Sequence, residues 1–294
     1  VVHCAAVIAP IAYAEPDLAE AVNLRGTEYL IEATKRHAPD AFFVFTSSYT
    51  IFGPCSPSDP VRRSTDPCWP EDNYGLHKLT VEGWLRHSGL RQCSLRLGGV
   101  MDLRHLMPKH PAFRPFVFKI PLDQPEHGND VRDAARAIAS AASQQPDGHV
   151  FLVGGDDSWK VSARQLRTET FDALGIRMPP EKAFRPIPDP AVKDNWYYEC
   201  WMDEKQSEKM LGFQRVTREV YMDELRARSR ARRIGLTPFR YLASRAMATA
   251  SPYTGRNAIE PGPTLWNDIY RVYELPLDVA RNRSSQPPPP PPFA

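Results

Sequence analysis

The 294-residue chain holds 16 glycines, yet no Gly-x-x-Gly-x-x-Gly or Gly-x-Gly-x-x-Gly stretch occurs in it. It therefore lacks the loop through which backbone amides approach a pyrophosphate at a helix N-terminus. Cysteine is sparse: Cys4, Cys55, Cys68, Cys93 and Cys200 make an odd count with no Cys-x-x-Cys pair. This argues against a disulfide framework, and reduced thiols in the cytoplasm are the expectation. The eight histidines are scattered and no metal-ligand spacing stands out. No run of 18 apolar residues occurs, so no transmembrane helix is expected. A net charge of +2 gives no general case for nucleic acid or membrane binding.

What is present suffices for a core. Hydrophobic residues make up 42% of the chain, enough for one large α/β domain or two smaller ones. Residues 1–6, 42–47, 93–97 and 149–153 read as strands. Residues 17–37, 73–88, 131–143 and 162–174 read as helices, with Asp17 and Ser162 as expected N-caps. This alternation implies a parallel sheet covered by helices on both faces. Residues 53–72 form a Pro/Ser/Asp-rich loop, and the proline-rich stretch 101–126, which includes His105, is not expected to be a core element. Gly154-Gly155 resembles a phosphate loop, but Asp156-Asp157 follows and would repel phosphate. Trp196, Tyr197, Tyr198 and Trp201 read as core packing with a polar edge. From Arg226 to Arg233 the chain is basic, a pattern that a solvated helix or a membrane-surface segment would share. Residues 284–292 are polar and end in the run Pro287 to Pro292, with no means to pack a core.

The most telling chemistry lies at Tyr74 and Lys78. Of the eleven tyrosines, only Tyr74 has a lysine four residues later. Positions i and i+4 share a helix face, so the ammonium would stand beside the phenol and lower its pKa. Thr46-Ser47-Ser48 ends the apolar run Phe42 to Phe45, and chemistry in open α/β sheets gathers at such strand ends. Ser48 could then hold a substrate oxygen while Tyr74 exchanges a proton with it.

Seven segments occur in a family order. They are Val1 to Ala6; Asn23-Leu24-Arg25-Gly26-Thr27; Thr46 to Gly53; Tyr74-x-x-x-Lys78; Leu95 to Val100; His127-Gly128-Asn129-Asp130-Val131; and Asp203 through Leu211-Gly212-Phe213. On these residues the chain resembles the extended short-chain dehydrogenase/reductases, the NAD(P)-dependent epimerase/dehydratase group that includes 3-beta-hydroxysteroid dehydrogenase-like members. The resemblance implies a Rossmann-like, doubly wound parallel sheet over residues 1–225, lacking its first strands. Cap elements are expected at about 101–126 and 176–225, and residues 226–294 form a partly disordered extension. It implies NAD or NADP as cofactor, with Ser48, Tyr74 and Lys78 catalytic. Ala5, Ala6, Asn23, Ser47, Tyr74, Lys78, Leu97 and Val100 would contact the cofactor. It further implies a small-molecule substrate and a homodimer formed through the helices carrying Asn23 and Tyr74.

Two departures stand out. The Gly-rich loop that precedes these motifs in the family is missing, so the chain reads as an N-terminally truncated piece of a longer protein. The alternative is a non-catalytic remnant or binding module of the same fold. Leu97 replaces a proline that helps shape the nicotinamide pocket. The substrate is expected to be a nucleotide sugar or an apolar alcohol such as a steroid. Val7 to Tyr13 offers little polar chemistry for a sugar, and Tyr49-Thr50 supplies no carboxylate, which disfavours a dehydratase.

Overall fold

A computed structural model describes residues 1–104, 110–256 and 258–273. His105 and the Pro287–Pro292 run lie outside the described residues. The first half runs β1 (Val2–His3), α1 (Ile11–Ala14), α2 (Pro16–Glu20), a π-helical turn Ala21–Arg25, α3 (Gly26–His37), β2 (Phe43–Ser48), α4 (Asn73–His87) and β3 (Gln92–Leu97). Then follow β4 (Gly99–Met101), α5 (Phe113–Lys119), β5 (Pro125–Asp130), α6 (Val131–Gln144), β6 (Val150–Val153), β7 (Lys160–Ser162) and α7 (Ala163–Ala173). The last helices are α8 (Lys205–Leu211), α9 (Arg218–Arg228), α10 (Arg230–Leu236), α11 (Arg240–Ala248) and α12 (Leu265–Tyr273).

β1, β2, β3 and β6 form a parallel sheet in that order. The run Phe42 to Phe45 explains why it is covered twice. Phe43 and Phe45 pack with Ile31, Val81, Trp84 and Leu85 from α3 and α4. Val44, alternating to the other face, packs with Leu95, Phe151, Ala137 and Ala141. Such apolar runs are what a sheet buried on both faces requires. The register sets Ser48 beside Leu97, and Leu97 beside Val153, so the carboxyl ends of three strands stand level. Beneath them the Arg96 guanidinium clamps Glu82 of α4 through two bonds of 3.1 and 2.8 Å. A second sheet orders β4-β5-β7, β4 and β5 parallel and β5 and β7 antiparallel.

Several expectations are revised. Stretch 101–126 does contribute core: Phe118, Ile120 and Leu122 are buried in and after α5, and β5 is buried throughout. Its prolines bound these elements, Pro115 in the first turn of α5 and Pro125 opening β5, where they cost little. The helix read over 17–37 starts at Pro16, whose fixed φ suits the first helical position; Asp17 therefore lies inside it and makes no cap. Helices also continue past 225. Leu265, Trp266 and Ile269 of α12 bury against Tyr13, Tyr197 and Tyr198, tying residues up to 273 to the body. Trp196, Tyr197 and Tyr198 are core, as their composition suggested.

Candidate active site

Ser48 is the last residue of β2, and Tyr74 lies in the first turn of α4. The Ser48 Oγ accepts from the Thr50 amide at 3.3 Å and the Thr50 hydroxyl at 3.0 Å. Tyr74 stands close by, and the Ser48 hydroxyl favours its ionised form. Thr50 was not foreseen as a partner; its position two residues after a strand-end serine, the spacing of an ST-turn, is the signal that would have found it.

Burial pushes the Tyr74 phenol well above its ordinary range; the Ser48 hydroxyl opposes this and the nearby Asp72 adds to it. The expected lowering by Lys78 does not prevail. Lys78 sends its ammonium to the Thr46 carbonyl, 2.6 Å away, and stands 5.7 Å from the Tyr74 ring centre. Burial lowers the Lys78 amine to about 8. Tyr74 is thus a protonated phenol, suited to deliver a proton to a carbonyl oxygen.

The start of α4 is pinned by groups the sequence reading passed over. Asp72 caps the helix by accepting from the Gly75 amide at 2.8 Å, and it takes the Tyr13 hydroxyl at 2.5 Å. Asn73 donates to the Ala12 carbonyl at 2.7 Å. An aspartate directly before a helix is a recognisable cap signal. Burial raises its carboxyl to about 6. A Cβ at Gly75 would stand 2.6 Å from Asp72 and 3.1 Å from the Thr50 carbonyl, so glycine lets the helix start close on the strand end.

The other expected residues separate into groups. Ser47 is buried, and its Oγ has no hydrogen-bond partner. Ala5 and Ala6 follow β1 at the same sheet edge, Ala5 exposed and Ala6 half-buried. Asn23 bonds both ways with the Val7 backbone, at 2.8 and 2.9 Å, and fixes the segment after β1. Leu97 sits next to Ser48 in the sheet. Val100 lies apart from these, in the wall of a neighbouring cavity. His127 is structural: its Nε2 donates to the Gly155 carbonyl, its Nδ1 accepts from the Met202 amide, and burial holds it at about 4. Gly154 and Gly155 make room for rings, since a Cβ there would meet His127 at 2.5 Å and Trp159 at 2.1 Å. That removes the phosphate-loop reading.

The pattern of the NAD dependent epimerase/dehydratase family matches residues 1–104. That segment is similar to the family, over about a third of the chain. The fold is shared with solved structures across most of the chain. A short-chain dehydrogenase/reductase superfamily protein from Agrobacterium tumefaciens with bound NAD is 20% identical, with 82% of this chain and 81% of that one covered at a TM-score of 0.61. The Thermus thermophilus UDP-glucose 4-epimerase in complex with NAD is 21% identical, covering 78% and 77% at 0.61. The Thermotoga maritima UDP-glucose 4-epimerase with UDP-glucose is 20% identical, covering 80% and 77% at 0.62. No curated protein matches the chain. The expected fold agrees with that of these structures. Among the described residues, no helix is long and apolar enough to cross a membrane.

Proposed function

We propose that the protein is an NAD(P)-dependent oxidoreductase or epimerase acting at a hydroxyl or carbonyl group. The observation that carries this is the convergence of Ser48, Tyr74 and Lys78 at the carboxyl edge of the parallel sheet. The nicotinamide end of the cofactor suits the residues present. The orphaned Ser47 Oγ offers a hydrogen bond, and Lys78 has one acceptor in Thr46, which leaves two N–H donors for ribose hydroxyls. Ala5 and Ala6 leave backbone and space beside them. When bound, the nicotinamide supplies or accepts the hydride. The chain's own residues do the rest: Ser48 orients the substrate oxygen, Tyr74 gives or takes its proton, and Lys78 offsets the negative charge that appears on the phenol.

The pyrophosphate end is different. Among the described residues, no strand leads through a glycine turn into a helix at this edge, and the Gly154-Gly155 pair is filled by His127 and Trp159. A second reading is a binding module that keeps the fold without turnover. Titration with NAD and NADP separates the two. Saturable binding together with turnover lost in Tyr74→Phe supports the enzyme, and absence of binding to either nucleotide supports the module. The reading includes a homodimer in the cytoplasm, paired through α3 and α4; the exposure of Tyr29 on α3 leaves an aromatic surface for that contact.

A further inference from the structure

Next to this site lies a cavity of about 750 Å³, enclosed by β4, β5, α5, α7 and the end of α11. Its wall is mostly carbon, from Phe113, Phe116, Phe171, Leu174 and Met247 among others. Tyr49, the residue after Ser48, joins it to the end of β2. One end is polar: Glu126, Arg167, Thr170 and Glu199 meet there with Tyr49. Arg167 pairs with Glu126 at 3.0 Å, and the Tyr49 hydroxyl stands close enough to Glu199 to favour its ionised form.

The pairing at this end is incomplete. Arg167 Nε and Nη1, Thr170 Oγ1 and one Glu199 carboxyl oxygen are all buried without a hydrogen-bond partner. Arg167 is only 8% exposed. Unmade hydrogen bonds of buried groups are costly, and several converging on one apolar space point to a ligand that completes them. The charge there is balanced. Glu126 offsets Arg167, and burial, with Glu126 beside it, pushes Glu199 up to about 8, so that it is mostly protonated at neutral pH. A diphosphate would meet a guanidinium whose charge Glu126 already offsets and two carboxyl groups; the other arginine of the lining, Arg114, is exposed. Nor does the carbon wall offer partners for a base and ribose.

We propose that this cavity binds an uncharged, largely apolar compound bearing an acceptor oxygen, held by the free N–H groups of Arg167 and by Thr170, and that it excludes nucleoside diphosphates. As the place for the substrate's body, this rests on the Ser48–Tyr74 reading; as a binding site, it does not.

Calorimetric titration of the full chain with decalone, with the matched hydrocarbon decalin and with uridine diphosphate tests it. Decalone is expected to bind more tightly than decalin, and uridine diphosphate not at all. Thr170→Val removes a hydroxyl that bonds nothing in the protein, so folding is retained, and it should weaken decalone roughly three- to tenfold while leaving decalin unchanged. Ala246→Trp, at an exposed position in the wall, should block both. Binding of uridine diphosphate that Ala246→Trp abolishes would overturn the proposal. So would decalone binding indifferent to both variants, or no decalone binding. If decalone binds as expected but neither NAD nor NADP does, the cavity stands and the catalytic reading falls; if either nucleotide binds and decalone does not, the reverse holds.

Discussion

The edge of the parallel sheet and the polar end of the neighbouring cavity are built from adjacent residues, Ser48 and Tyr49, yet they treat polar groups in opposite ways. At the edge nearly every one is engaged. Ser48 bonds Thr50, Lys78 bonds Thr46, and Asp72 bonds Tyr13 and Gly75. In the cavity, atoms of Arg167, Thr170 and Glu199 are buried with bonds unmade. A satisfied network fixes geometry and is stable without a ligand, whereas an unsatisfied one costs stability until something fills it. Substitutions should therefore separate activity from stability at the edge, and raise stability where buried groups are orphaned.

The largest effect is expected at Tyr74. Tyr74→Phe keeps the ring and its packing but removes the proton donor, and turnover should fall by roughly 10² to 10⁴. Thermal unfolding should show the fold intact. A variant that loses activity only in proportion to its loss of fold would break the comparison.

Next comes the satisfied pair beneath the edge. Glu82→Ala leaves the Arg96 guanidinium buried without its carboxylate, and should destabilise by about 3–5 kcal/mol in denaturant unfolding. Replacing both partners with apolar residues of similar volume should cost far less, which distinguishes an orphaned charge from lost packing.

These two predictions draw on features of unequal legibility. The Phe42 to Phe45 run and the Tyr74–Lys78 spacing are local patterns, and both were readable because strand burial and helix phase are set within a few residues. The Glu82–Arg96 clamp was not, since each residue alone reads as a surface charge and only the crossing of α4 over β3 pairs them. The polar end of the cavity was hidden more deeply: Tyr49, Glu126, Arg167 and Glu199 come from four distant segments, and no period links them. The direction of the Tyr74 shift is not legible either, because a spacing says who stands near whom and nothing about burial, which outweighs Lys78 here.

Lys119 carries the contrast in the other direction. It is 1% exposed, its Nζ has no hydrogen-bond partner and lies 3.7 Å from the Tyr273 ring centre, and burial lowers it to about 6. Lys119→Met should stabilise by about 1–3 kcal/mol at pH 7. The sign of its pH dependence follows from the lowered value. Between about 6 and the ordinary 10.5 the unfolded chain binds a proton that the folded chain does not, so wild-type stability rises with pH across that window. The advantage of Lys119→Met should therefore shrink from pH 7 to pH 9; an advantage that grows would refute the assignment.

The smallest effect is expected at Ser47, an orphan within the otherwise largely satisfied edge. Its hydroxyl bonds nothing in the protein, so Ser47→Ala should change stability by less than about 1 kcal/mol, and if anything raise it. Affinity for NAD should fall by the worth of one neutral hydrogen bond, roughly three- to tenfold. Loss of affinity without loss of stability would mark the edge as a site completed by its cofactor, as the cavity is by its ligand. Unchanged affinity would make the Ser47 hydroxyl a buried group with no role in binding, and the edge would then bind through Lys78 and backbone alone.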